Sequence, residues 1–267
     1  MRIGFVGAGR MGRPMIQRLV RAGHTVRAVG RSAAARAAIA ETGARAVETV
    51  TAAAHDAEAV VVCVLTDDQV REVCLGGPLL RAVRRGAVLI VHTTGSPATV
   101  AAIAAASPDV GVVDAPVSGG PHDIAAGRLT VLLGGADEAA ERAQVVLRAY
   151  ADPVLHVGPL GAGQRVKLVN NALFAAQIGL VADAVRLGNQ LGVDEATLLA
   201  ALPHASSSGR AVTSVAGKGA VEVFRASVSE FLRKDVTVAR ALVAELGADL
   251  GILDAAIDAG IHPAERS

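Results

Sequence analysis

The segment Gly7-Ala8-Gly9-Arg10-Met11-Gly12 constrains this chain more than any other. It has the spacing G-x-G-x-x-G, follows an apolar run at Arg2–Val6, and precedes a helix-like segment that begins near Met11. In that setting the glycines act differently. Gly7 permits a tight turn, Gly9 lets backbone approach a pyrophosphate, and Gly12 allows helix and strand to pack closely. The first N–H groups of the helix have no partner inside it and point toward an anion. Residues 7–12 are therefore read together as a dinucleotide-contacting turn. Taken without its flanks, the same pattern would serve as a plain glycine turn.

Beyond this turn, short β-branched runs alternate with Ala-rich helical stretches as far as Gly158. The runs are Arg2–Val6, Thr25–Val29, Ala59–Leu65, Val88–His92, Val110–Asp114, Thr130–Leu133 and Val154–Val157. Such alternation predicts a Rossmann-type, doubly wound parallel sheet covered by helices over residues 1–160. After Gly158-Pro159-Leu160-Gly161 the strand signals stop. Gln164–Leu191 reads as one long helix, with further helices over Asp194–Leu202, Ser229–Leu246 and Gly251–Ala259. Residues 161–267 are thus expected to form a small all-α domain, and the fold class is α/β followed by all-α.

Composition removes several classes of function. The 267 residues carry a formal net charge of +1, with one Tyr, four Phe and no Trp, so neither a basic surface nor stacking rings favour nucleic acid. The two cysteines, Cys63 and Cys74, lack the close pairing of a zinc or redox motif. No metal site is expected, and both thiols read as buried in a reducing compartment. Charges and glycines interrupt the apolar stretches, and the first strand begins at Arg2, which leads us to expect a soluble, cytoplasmic protein without a membrane partner.

Three further stretches carry chemistry. An NAD-preferring dinucleotide fold usually has an acid about 20 residues after the glycines, yet no acid occurs between Arg2 and Glu41, and the second strand ends in Gly30-Arg31-Ser32. Arg31 and Ser32, with Arg36 nearby, suit a 2′-phosphate, so the cofactor is read as NADP rather than NAD. A solvated surface arginine is the plainer account of Arg31. Next, Asp114-Ala115-Pro116-Val117-Ser118-Gly119-Gly120 ends a strand in glycines that can expose N–H groups to an anion. Spacing alone serves an ordinary loop equally well. Last, Gly161–Asn171 reads GAGQRVKLVNN, and places Lys167 and Asn171 four residues apart on one helical face. Lysine occurs only at 167, 218 and 234 in this arginine-rich chain. Unlike arginine it can exchange a proton, although a first-turn lysine can also be merely solvated.

Together these stretches resemble the β-hydroxyacid dehydrogenase family, and the resemblance covers nearly the whole chain. Its marks are GFVGAGRMGRPM at the N-terminus, DAPVSGG at Asp114–Gly120, GAGQRVKLVNN at Gly161–Asn171, and the pair Lys234-Asp235. The resemblance implies hydride transfer between NADP(H) and a small β-hydroxyacid or its semialdehyde, in a cleft between two domains. It implies that Lys167 is the catalytic acid/base and that Asn171 bonds the substrate or positions that lysine. Ser118, Gly119 and Gly120 would hold the substrate carboxylate, while Leu65, Thr94 and Lys234 would contact the cofactor. The sequence departs from the family in Pro121–Leu129, which is bulkier and more charged than the usual small-residue pattern. His122 and Asp123 there are read as an exposed polar loop.

An imine reductase shares the first-domain features but usually carries another residue at the position of Lys167. A non-catalytic dinucleotide-binding scaffold or sensor is the alternative outside the enzymes, and retention of Lys167 weighs against it. The apolar positions of Gln164–Leu191 extend too far round the helix for one small domain to cover. A homodimer or higher even oligomer built on that helix is expected.

Overall fold

The computed structural model describes residues 1–261. By its internal packing the chain divides into two compact units, Met1–Lys167 and Leu168–Ser267.

The first unit is built on a nine-stranded sheet. Strands β1 (Arg2–Val6), β2 (Thr25–Val29), β3 (Arg45–Val47), β4 (Ala59–Val62), β5 (Val88–Val91) and β6 (Gly111–Asp114) run parallel in the order β3-β2-β1-β4-β5-β6. Every residue of β4 and β5 is buried, which is why both read as unbroken Val/Ile/Leu runs rather than alternating ones. The order reverses between β1 and β4, and ligands of open α/β sheets bind at the carboxyl ends of the strands beside such a reversal.

The sheet is not wholly parallel, contrary to expectation. The short β7 (Val117–Ser118) and the end of β6 pair antiparallel with β8 (Leu129–Gly134), and β9 (Ala151–Gly158) then pairs parallel with β8. The tight connection Pro121–Arg128 turns the chain back on itself, and a connection that short cannot make a parallel crossover. β3 also escapes the sequence pattern, because three half-exposed residues at a sheet edge carry little periodicity.

The helices of this unit are α1 (Gly12–Arg21), α2 (Ala33–Ala40), α3 (Val50–Ala54), α4 (Asp67–Arg71), α5 (Leu79–Ala82), α6 (Pro97–Ala106), α7 (Pro121–Ala125) and α8 (Asp137–Leu147), with a π-helical turn at Glu72–Gly76. One face of the sheet packs Ile3, Phe5, Val61 and Ile90 against Met15, Ile16 and Leu19 of α1 and Val146 and Leu147 of α8. The other packs Val60, Val62 and Leu89 against Val70, Leu79, Val100 and Ile103.

From the first unit α9 (Ala162–Gln190) continues into the second, which adds α10 (Glu195–Ala201), α11 (Arg210–Ala216), α12 (Val221–Glu245) and α13 (Ile252–Ile261). Two apolar clusters hold it, one around Ile178, Val181, Val215 and Phe224 and one around Ala172, Ala176, Val236 and Ile257. α9 and α13 approach so closely that a Cβ at Gly179 would strike the Ala256 carbonyl. α12 begins eight residues before the expected Ser229, because burial of Val221 and Phe224 and the bond from the Val221 N–H to Glu195 Oε1 (2.8 Å) override the low helix propensity of its valines. α9 is, among the described residues, long and apolar enough to cross a membrane, which the interrupted apolar stretches of the sequence do not suggest. Half of its most apolar window is buried inside the protein, so its hydrophobicity is in large part that of a core helix.

Candidate active site

The turn after β1 has the geometry that its glycines require. Gly7 has φ +104°, and a Cβ there would collide with the Cys63 carbonyl. At Gly12 a Cβ would strike the Gly7 carbonyl and lie 2.9 Å from Cε1 of Phe5. Over Gly9, by contrast, nothing lies within 4 Å of where a Cβ would be. Two glycines thus serve close packing, and the third leaves exposed backbone that a pyrophosphate can approach. Helix α1 starts at Gly12 with no side-chain cap and no acid in its first turn, which keeps the positive end of its dipole available to an anion. Ala8 and Met11 are half-buried and Arg10 is exposed. These residues fit a dinucleotide diphosphate. Burial pushes both Cys63 and Cys74 thiols up to about 12, so both stay protonated and unreactive.

At the end of β2, Arg31 is exposed. Ser32 caps α2, its hydroxyl oxygen accepting from the Ala35 N–H at 3.1 Å. Arg36 donates to the Gly30 carbonyl (3.2 Å) and pairs with Glu48 (3.4 Å). Of the cations suggested for a 2′-phosphate, Arg36 is therefore committed locally and Arg31 is the one facing solvent.

The loops after β4 and β5 are fastened to each other. The Val64 N–H donates to Thr93 Oγ1 (3.0 Å), whose own proton goes to the Val64 carbonyl (2.9 Å). Asp67 accepts from the Ser96 N–H (3.1 Å) and the Thr99 hydroxyl (2.6 Å), and a Cβ on Gly95 would collide with it. Leu65, 58% exposed, and half-buried Thr94 are the residues these loops present. Gln164, from the start of α9, is buried and spans the second loop, accepting from the Gly95 N–H and donating to the Thr93 carbonyl, both at 2.9 Å.

Asp114 fixes the start of α9. It is fully buried at the end of β6, with Oδ1 accepting from the Gly161 N–H and Oδ2 from the Gln164 N–H, each at 2.7 Å. These are two of the N–H groups that a helix leaves unsatisfied at its first turn. Burial raises the carboxyl pKa, and the backbone bonds pull against that rise. Gly134 and Gly163 are small because a Cβ on either would run into this carboxylate. Lys167 follows Gln164 by three residues on α9 and is half-buried.

Thr93, Asp67, Gln164 and Asp114 are positioning residues that sequence reasoning passes over. A signal for two of them is present, since Asp114 lies inside DAPVSGG and Gln164 inside GAGQRVKLVNN.

One turn beyond Lys167, Asn171 is buried and donates from Nδ2 to Asp235 Oδ2 at 2.5 Å. Lys234 Nζ lies 2.6 Å from the other oxygen of Asp235. On the substrate loop, Ser118 is half-buried in β7 and Gly119 is exposed with φ +125°. The Gly120 N–H already donates to Asp123 Oδ2 (2.8 Å). This corrects the reading of Asp123 as an exposed loop residue: only 16% of its side chain is accessible, it caps α7, and it pairs with the exposed His122 at 3.1 Å. His92, just past β5, is also buried. Its Nδ1–H donates to the Ala115 carbonyl (2.6 Å), so Nε2 accepts from the Tyr150 hydroxyl (2.8 Å). Desolvation lowers its pKa to about 4, and it is a neutral structural imidazole.

This sheet order, with the open glycine turn at its first βα junction and an all-α unit following it in the chain, is that of a dinucleotide-binding protein. Comparison with known proteins agrees. The profile of the NAD binding domain of 6-phosphogluconate dehydrogenase matches residues 2–158, and that of the NAD-binding region of NADP-dependent 3-hydroxyisobutyrate dehydrogenase matches residues 161–259. The chain is 35% identical over 204 residues to 2-(hydroxymethyl)glutarate dehydrogenase of Eubacterium barkeri, covering 74% of this chain and 67% of that one. It is 34% identical over 210 residues to the NAD-dependent L-serine dehydrogenase of Pseudomonas aeruginosa, covering 78% and 70%. Its fold matches Mycobacterium tuberculosis 3-hydroxyisobutyrate dehydrogenase, solved with L-serine, at a TM-score of 0.85 and 29% identity, covering 96% and 91% of the two chains. The chain belongs to the β-hydroxyacid dehydrogenase family, and acts on a hydroxyl group with a nicotinamide dinucleotide.

Proposed function

We propose that this enzyme interconverts a small β-hydroxyacid and its semialdehyde using NADP(H), with Lys167 as the proton carrier. The observation that carries the reading is the start of α9. There Asp114 and Gln164 hold the first turn rigidly against the cofactor-side loops, and Lys167 rises from the next turn as one of three lysines in the chain. Rigid support is what a proton-transferring group needs, since it acts only within hydrogen-bond reach. The nicotinamide, when bound, supplies or accepts the hydride. In the reductive direction Lys167 gives its proton to the oxygen on which negative charge develops, and an ammonium near pKa 10.4 is a far stronger acid than a water-like oxygen at about 15.7. In the oxidative direction the neutral amine takes the hydroxyl proton. Asn171 holds the substrate or the lysine, and Ser118 and Gly119 face the substrate carboxylate.

The substrates named for the relatives share one core. Serine, 3-hydroxyisobutyrate and 2-(hydroxymethyl)glutarate each carry a CH2OH on the carbon that bears a carboxylate, and differ in the third substituent. We assign this enzyme a substrate of that class. Exposed Arg31 without an acid on β2 supports NADP. On α9, Val166, Val169, Leu173, Leu180 and Leu187 are 40–66% exposed at spacings of three, four and seven, the pattern of a helix face awaiting a partner, and this supports a homodimer.

The test is a screen that follows NADPH oxidation with small semialdehydes, glyoxylate and cyclic imines, and NADP+ reduction with the three hydroxyacids. Turnover of a hydroxyacid and its semialdehyde is expected. Turnover of cyclic imines alone would replace this reading with imine reduction, and no turnover of any compound would favour a dinucleotide-binding sensor.

A further inference from the structure

We propose that Asp235 is a positioning residue that sets the direction of the Asn171 amide and anchors Lys234, linking the substrate-side and cofactor-side groups of the second unit through one carboxylate. The inference rests on the role proposed for Asn171 and on the cofactor contact that the family resemblance implies for Lys234.

Asn171 and Asp235 are each 3% exposed, on α9 and α12. A buried carboxylate is costly unless its oxygens are engaged, so its neighbours show what it serves. Oδ2 accepts the Asn171 Nδ2 proton at 2.5 Å. Oδ1 lies 2.6 Å from Lys234 Nζ, close enough for an ion pair but outside hydrogen-bond alignment. A carboxylate only accepts, so the Nδ2 side of Asn171 must turn toward it. The opposite oxygen of that amide takes the Asn170 Nδ2 proton at 2.9 Å. Both ends of the Asn171 amide are then fixed, and its second N–H has one direction left to it. In the absence of Asp235 only the bond from Asn170 holds the amide, and Lys234 loses this counter-charge.

The experiment compares Asp235→Ala, Asp235→Asn, Asn171→Ala and the double alanine variant. Asp235→Ala is expected to lower kcat roughly 10- to 100-fold, the effect of losing a hydrogen bond to a charged group, and to raise the cofactor KM several-fold. Asp235→Asn keeps an acceptor for Asn171 but no charge for Lys234. Its kcat should recover to within about fivefold of wild type while the cofactor KM stays high. Because Asp235 acts on kcat through Asn171, the double variant should fall no more than about twofold below Asn171→Ala alone. Losses that multiply, or an Asp235→Asn kcat as poor as that of Asp235→Ala, would overturn the proposal.

A spectroscopic arm needs no turnover. The Asn171 side-chain amide proton, assigned with Asn171→Ala, should resonate downfield and exchange slowly in wild type and Asp235→Asn, and lose both properties in Asp235→Ala. An unchanged resonance in Asp235→Ala removes the link even if the enzyme proves inactive on every hydroxyacid. An altered one in an inactive enzyme keeps the link and faults only the proposed reaction.

Discussion

Removing the Asp114 carboxylate should loosen the helix that carries Lys167, and the size of the effect follows from its two bonds. Asp114→Ala leaves the Gly161 and Gln164 N–H groups buried without their acceptor. Each orphaned donor costs about 1–3 kcal/mol. Part of that is offset because the carboxylate itself is poorly solvated, as its raised pKa records. The net loss should be about 2–4 kcal/mol, or a Tm lower by about 4–16 °C for a domain of this size. Asp114→Asn keeps the shape but offers only one accepting oxygen, and its NH2 meets the second N–H donor, so it should fall between wild type and alanine. A carboxyl whose folded pKa is raised costs stability when ionised, and that cost fades as pH falls through the folded pKa toward the ordinary value of 3.8, so this one group favours the fold at acid pH. Urea unfolding followed by circular dichroism at pH 7 measures the first effect. An Asp114→Ala protein within about 0.5 kcal/mol of wild type would show that these bonds do not hold the start of α9.

His92 should give the opposite dependence. Its pKa is lowered from 6.5 to about 4, so the stability tied to its neutral form is fully present above pH 6.5 and is lost as pH falls toward 4, by up to about 1.4 kcal/mol per unit. Urea midpoints of wild type against His92→Gln between pH 7 and 5 check this, and equal slopes would count against it. Arg31→Ala should weaken NADPH about 10- to 100-fold and leave NADH nearly unchanged in fluorescence titrations. Equal wild-type affinities for the two cofactors would remove the NADP assignment. Leu180→Glu with Leu187→Glu should convert a dimer to monomer in sedimentation, and a wild-type monomer at micromolar concentration would exclude the α9 interface.

Much of this fold is legible in the sequence because its signals are local. The fully buried β4 and β5 can be read as apolar runs, and the glycines at 7, 9 and 12 announce a turn in which Gly7 and Gly12 have no room for a side chain and Gly9 leaves its backbone open. The antiparallel return of β8 is not legible, since pairing direction depends on where a loop carries the chain and not on the pattern within a strand. The site divides in the same way. Lys167 and Asn171 share a helical face that spacing reveals, whereas the bonds from Asp114 to Gly161 and Gln164 join residues some fifty positions apart and leave no periodic trace. Asp123 escapes a sequence reading because an acid in a polar loop looks solvated until its bond to Gly120 is seen.

In the proposed reaction Lys167 carries the proton between solvent and the substrate oxygen. The most direct test is the steady-state kcat of wild type, Lys167→Ala and Lys167→Arg on the best hydroxyacid–semialdehyde pair, with cofactor affinity measured alongside. Alanine should lower kcat about 10²- to 10⁴-fold with little change in NADPH binding, and arginine should do almost as badly because a guanidinium keeps its charge but yields no proton. Near-normal kcat in Lys167→Arg would rule out proton transfer by Lys167 and reduce it to an electrostatic anchor.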